Sequence, residues 1–186
     1  MNDFTKDWDV PEGLEWNIGL EQPDIEQDIN DAKMVYYIFK GAHEVPLKYH
    51  NGDYNKILRL AVVHIWFAPR GARPSLSKYR VSWSKEARNQ YFNLPKKQHA
   101  GKFRGEHIIS AKTISDVLLK QMDSIHNYND MLEALNIIHK KPYFVVITHD
   151  EDKMLEGGDG WERYKKAGIG NVSDYMPLAK DIRFTK

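Results

Sequence analysis

Apolar positions gather into short runs separated by turn residues, and their period changes along the chain. Between residues 33 and 40 the run MVYYIF is unbroken and of strand length, which predicts a buried strand. Residues 41–51 read as a loop containing Pro46. Asn51-Gly52-Asp53 then supplies a turn and a cap before YNKILRLAVVHIWFA. The length of that stretch predicts a helix capped by Asp53, while the β-branched and aromatic side chains of residues 60–67 would suit a strand. His64 falls on this apolar stretch and is expected in the core. Pro69, Gly71 and Pro74 end it.

Further along, KYRVSW (residues 78–83) alternates as a strand does, and Ser84 is placed to cap a helix KEARNQYFNL that Pro95 terminates. Residues 96–106 form a basic loop with Gly101 and Gly105. Thr113 with Asp116, Asp130 with Glu133, and Thr148 with Glu151 each fit a capping box. The first opens a helix with Ile114, Val117, Leu118 and Gln121 on one face. The second opens a helix that turns Leu132, Leu135 and Ile138 inward, and Pro142 breaks it before YFVVIT (residues 143–148), the clearest strand in the chain. GGDG at 157–160 predicts a loop, and residues 161–167 a short helix stopped by Gly168. Together these elements predict an α+β fold: one domain over residues 33–186 with a small sheet and several helices, preceded by an acidic N-terminal arm over residues 1–32.

A chain of 186 residues buries roughly 70% of its unfolded surface, so one core suffices. The absence of cysteine excludes disulfide scaffolds, zinc ribbons, iron–sulfur clusters and thiol nucleophiles. No apolar run approaches the roughly 20 residues of a membrane span. The acidic start MNDFTKDWDV lacks the basic-then-apolar layout of a signal peptide, so a soluble, cytoplasmic protein without membrane contact is expected.

Lys and Arg number 27 against 26 Asp and Glu, yet the two signs are segregated. Residues 1–32 hold ten acids and a single base, Lys6, a net −9. Residues 70–112 hold eleven bases and two acids, Glu86 and Glu106, a net +9. Such asymmetry points to a polyanion-binding surface, an acidic arm, or one folded against the other. Within the basic block Arg70, Arg73, Arg80, Lys85, Arg88, Lys96, Lys97, Lys102 and Arg104 are candidate contacts to a nucleic-acid backbone, DNA or RNA. Trp83, Tyr91, Phe92 and Phe103 interleave with them. Either they offer faces on which bases stack, or they are core residues of the strand and helix; at least two of the four are assigned to the core. In the acidic segment Phe4, Trp8 and Trp16 either dock an arm onto the domain or lie in a partly disordered stretch.

Phe103-Arg104-Gly105-Glu106-His107-Ile108-Ile109 resembles the opening of the HNH (His-Me finger) endonuclease motif, in which an acid or a His precedes a His at a strand end and apolar residues follow. The resemblance implies that His107 is the general base for an attacking water, with Glu106 as its catalytic companion and a metal ligand. It implies Mg²⁺ as the cation stabilising the scissile phosphate, and Arg104 as a phosphate contact. The family pattern continues with an Asn and then a helix bearing another metal-binding His. Asn127, Asn129 or Asn136 would stand for the first, and His126 or His139 for the second. A predicted helix over residues 113–122 occupies the place of that family's second strand.

Two shorter likenesses compete. Residues 79–88 followed by Leu94-Pro95 are similar to the opening strand and basic helix of RelE/ParE-type toxins. Glu151 and Lys153 form an E-x-K similar to that of PD-(D/E)xK nucleases, although the Thr148 cap puts it on a helix. His43, Glu44 and His50 flank a loop within reach of a metal, and His149-Asp150-Glu151-Asp152 either holds a hard cation or complements a helix dipole. There is no P-loop, G-x-G-x-x-G, G-x-S-x-G or H-E-x-x-H.

The expectation is therefore a nucleic-acid-acting protein, a small metal-dependent endonuclease. The alternative is a non-enzymatic interaction protein, such as a host-takeover or immunity factor, whose residues 1–32 dock on a basic partner or on a second copy. A nucleic-acid binder without catalysis is the third reading.

Overall fold

Val145, Val146 and Ile147 are wholly buried, because FVVIT is an interior strand covered on both faces. This strand, β3 (Phe144–Thr148), is seen in a computed structural model that describes residues 4, 5, 8, 25–72, 80–141, 144–169 and 174–177. It runs parallel to β1 (Arg80–Trp83), with Ser82 opposite Val145, and antiparallel to β2 (Phe103–His107), with Gly105 opposite Val146. An outer strand, β4 (Asp174–Pro177), pairs antiparallel with β1, so the sheet order is β2-β3-β1-β4. A parallel pair needs a long crossover. Here it carries α3 (Lys85–Asn93), β2, α4 (Ala111–Lys120) and α5 (Tyr128–His139). Two short helices, α6 (His149–Met154) and α7 (Trp161–Lys166), follow β3. The small sheet with several helices is the α+β fold that the hydrophobic pattern predicts.

The strand expected between residues 33 and 40 is instead the middle of α1 (Ile25–His43). Asp28, Ala32, Val35, Tyr36, Phe39 and Ala42 form its buried stripe at helical spacing, packed against α5. Met34 and Tyr37 sit on its exposed side, and these two solvent-facing apolar residues are what made the run look continuous. The helix crosses the boundary expected between residues 32 and 33. Ahead of it, Trp8 is buried in the core and Phe4 packs against it, so the segment docks through these two aromatics. Trp16 lies outside the described residues.

The helix expected after Asn51 forms as α2 (Gly52–Leu60), but its cap is Asn51, whose side chain accepts from the Tyr54 amide at 3.0 Å. It continues over Ala61–Ala72 as a π-helix containing Pro69. Trp66 and Phe67 are buried there, whereas His64 is exposed rather than in the core. Two further caps also lie one turn upstream of expectation, at Ser110 for α4 and Asn127 for α5. Part of the expected basic loop over residues 96–106 is strand β2. Among the described residues no helix is long and apolar enough to cross a membrane.

Candidate functional site

Successive side chains of a strand point to opposite faces of the sheet, and β2 obeys this alternation. Phe103 is buried on one face, its ring centroid 5.7 Å from Trp83 and 5.9 Å from Tyr91. Arg104 and Glu106 share the other face, beneath α6 and α7. There Arg104 pairs with Asp152, and Glu106 Oε1 accepts from Arg163 Nη2 at 2.7 Å. The same Arg163 nitrogen donates to the His107 carbonyl. Glu106 and His107, adjacent in sequence, therefore project to opposite faces, and the Glu106 carboxylate is engaged by a guanidinium.

The His107 imidazole is held neutral. Burial drives its pKa down from 6.5 to about 4, the Arg163 guanidinium pushes the same way, and the Asp159 carboxylate opposes both. Asp159 itself closes the N-terminus of α4. It accepts from the Ser110 amide at 3.2 Å, from the Ser110 hydroxyl at 2.9 Å and from the Thr113 hydroxyl. Gly158 and Gly160 on either side adopt positive φ, which lets the loop turn its carboxylate onto the helix end. Beside this cluster the Tyr164 hydroxyl is wholly buried with no hydrogen-bond partner among the described residues, and burial raises its pKa.

The resemblance implies His126 or His139 as the further metal-binding His. The two lie at opposite ends of α5, about 20 Å apart along the axis at 1.5 Å per residue, so at most one of them could serve one ion. His126 is exposed and donates its backbone N–H to Asp130 at 2.8 Å, while His139 is buried against the Trp66 ring, centroids 6.4 Å apart. Of the implied asparagines, Asn127 caps α5 through the amides of Asn129 and Asp130. Among the described residues no group of three His, Asp or Glu side chains gathers as a metal site.

The E-x-K pair also separates. Glu151 is buried and completes the capping box with Thr148, whereas Lys153 is exposed and pairs with Asp150 at 2.9 Å. His149-Asp150-Glu151-Asp152 is the start of α6, with Asp150 held below its ordinary pKa by its hydrogen bond to Lys153. His43 reaches Asp123 at 3.2 Å, and His50 reaches the Val45 carbonyl at 2.9 Å while stacking on Tyr54. Both histidines line an open cleft of about 670 Å³ between α2 and α4, a feature without a sequence signature because its walls come from four separate segments.

Of the nine basic candidates, five are exposed on α3 and the turn that follows it, while Arg104 is engaged by Asp152. Lys85 and Arg88 lie one turn apart on the exposed side of α3, opposite the buried Ala87. Lys96 and Lys97 are exposed in the turn that follows, and Lys102 in the tight turn before β2. That turn is anchored from inside. His99 is buried, with Nε2 2.9 Å from the Leu94 carbonyl and its ring 4.6 Å from that of Tyr91. The Lys102 carbonyl accepts from the His149 amide at 2.8 Å. Lys85, Lys96, Lys97 and Lys102 make no ion pair among the described residues. Arg73 lies outside the described residues, and of Arg70 and Arg80 only the backbone is described. Of the four interleaved aromatics Trp83 and Phe103 are core, Tyr91 is half-buried and Phe92 is 65% exposed. Arg163, Asp159 and Asp152, which organise both sides of β2, escaped sequence reasoning because nothing local in WERYKK or GGDG announces a partner some 50 residues away.

No family model, no curated protein and no solved structure matches this chain.

Proposed function

We propose that the protein binds nucleic acid through the face formed by α3, the 94–102 turn and the start of β2. The observation that carries this reading is the cluster of exposed cations at Lys85, Arg88, Lys96, Lys97 and Lys102, one of which sits beside an exposed aromatic ring. Glu86 is the one acid of residues 85–104 besides them on this face, and it is hydrogen-bonded to Gln90. Such a surface attracts phosphates and gains affinity by releasing their counterions. Anisotropy titration of a labelled oligonucleotide over a range of salt is the test. Five phosphate contacts give a slope of log affinity against log salt of roughly −3.5 to −4.5. The K85E/R88E/K97E variant should lose binding at least tenfold. A slope near zero, or a variant that binds as well, would overturn the reading.

Hydrolysis is the second reading, and it rests on His107 at the end of β2, whose imidazole is neutral and can accept a proton but, with its pKa lowered to about 4, is a weak base. In this form Glu106 serves to hold Arg163 rather than to join His107. Plasmid DNA and total RNA incubated with and without Mg²⁺, beside His107→Ala, decide it. Metal-dependent cleavage lost in the variant supports an endonuclease, and cleavage by neither protein leaves a binding module.

A further inference from the structure

Resting on that reading, we propose that the ligand is a single-stranded nucleic acid, one of whose bases stacks on Phe92. Phe92 is 65% exposed on a polar face rich in cations, where an apolar ring gains little by burial. It is nonetheless fixed in place. Its ring meets Tyr91 edge-on at 5.7 Å and 77°, Tyr91 packs at 5.2 Å on Trp83, and Trp83 is wholly buried. Phe92 is thus the outermost ring of an aromatic series rooted in the core, so ordering it on binding costs little. The Arg88 guanidinium lies 5.9 Å from its centroid, one turn earlier on α3, and places a cation where the phosphate of a stacked nucleotide would run.

Lys85 precedes this pair on the same helix side, and Lys96 and Lys97 follow it. Exposed cations before and after an aromatic platform match a strand whose bases are unpaired, since every base has a π-face and no sequence need be read. A duplex keeps its bases stacked inside and would offer this surface phosphates alone, leaving Phe92 without a role. The exposed ring therefore distinguishes the two ligands, which the charges do not.

The test measures binding of wild type, Phe92→Ala, Phe92→Trp and K96E/K97E to labelled oligothymidine, oligouridine and a mixed-sequence duplex, each of about 20 nucleotides per strand. Phe92→Ala should weaken binding to the single strands about 5- to 150-fold and to the duplex less than twofold. Phe92→Trp should keep or improve single-strand binding, and K96E/K97E should weaken all three ligands together. Equal loss on strands and duplex, or no loss on either, overturns the stacking role while leaving the charged face in place. If wild type binds none of the three, the nucleic-acid reading falls and this inference falls with it.

Discussion

The Ser84 hydroxyl donates to the Glu151 carboxylate at 2.6 Å, joining the N-termini of α3 and α6 across the sheet. The same carboxylate oxygen accepts from the Thr148 amide at 2.8 Å. In return Ser84 Oγ accepts from the Ala87 amide and Thr148 Oγ1 from the Glu151 amide, both at 3.0 Å. One buried carboxylate therefore fixes two helix starts, and through α3 it aims the cationic face. Ser84→Ala should cost about 1–2 kcal/mol and Glu151→Ala about 1–3 kcal/mol, because each leaves buried polar partners unmet. Urea unfolding of the single and double variants checks the coupling. An interaction energy above about 0.5 kcal/mol is expected, and strict additivity would show that the two caps are independent.

How far this arrangement can be read from sequence varies along the chain. The Thr148–Glu151 box and the FVVIT strand are local signals, and both stand where the pattern puts them. The caps of α4 and α5 were displaced by one turn because Thr113 and Asp130 occupy the third helical position, not the cap. Asp130 returns its carboxylate to the His126 amide, so an acid that completes the cap has the sequence signature of its beginning. The α1 segment misleads for a different reason. Its period is masked by Met34 and Tyr37, and only the partner surface of α5 decides which residues are inside. At the candidate site the cations are legible, since exposure is the ordinary state of Lys. The engagement of Glu106 by Arg163, 57 residues away, is set by how α7 folds back over β2, which no short motif encodes.

Gly168 ends α7 in the left-handed region at φ +68°. The Ile169 amide reaches back to the Tyr164 carbonyl at 2.9 Å and the Gly168 amide to that of Lys165 at 3.1 Å, with Ile169 and Tyr164 both buried. This is the Schellman arrangement, which needs a residue without a Cβ penalty at this point. No atom of the described residues lies within 4 Å of where a Cβ would be. Gly168→Ala should therefore cost about 1 kcal/mol from backbone conformation alone, with no steric part. Thermal unfolding should show a smaller cost for Gly168→Asn, whose side chain tolerates the left-handed region. Equal costs for Ala and Asn would show that something other than backbone conformation sets the penalty.

Asp159→Asn tests the closure of α4 by the glycine loop. The substitution keeps a hydrogen-bonding side chain of the same shape but removes the charge that complements the helix N-terminus. A loss of about 0.5–1 kcal/mol is expected for Asn and about 1–2 kcal/mol for Ala. Because the Asp159 carboxylate raises the pKa of His107, its removal should also move that imidazole further down. Proton NMR titration of the His107 ring reads this second effect separately from stability. An unmoved or raised value would show that the two groups do not sense each other.

His107 makes stability depend on pH in a defined window. Its folded pKa of about 4 lies below the ordinary 6.5, so between these values the unfolded chain binds a proton that the folded chain refuses. The contribution is complete above pH 6.5, falls away as pH drops from 6.5 to 4, and is constant below. For this half-buried ring it amounts to about 2–3 kcal/mol. His107→Gln removes the titrating group while leaving the other seven histidines in both proteins, so their shared contributions cancel in the comparison. Urea unfolding at a series of pH values should give a wild-type profile that falls more steeply than the variant's between pH 6.5 and 4 and parallels it above pH 7. Profiles parallel throughout would mean that the imidazole charges as easily folded as unfolded. Neither burial nor Arg163 would then disfavour its charge.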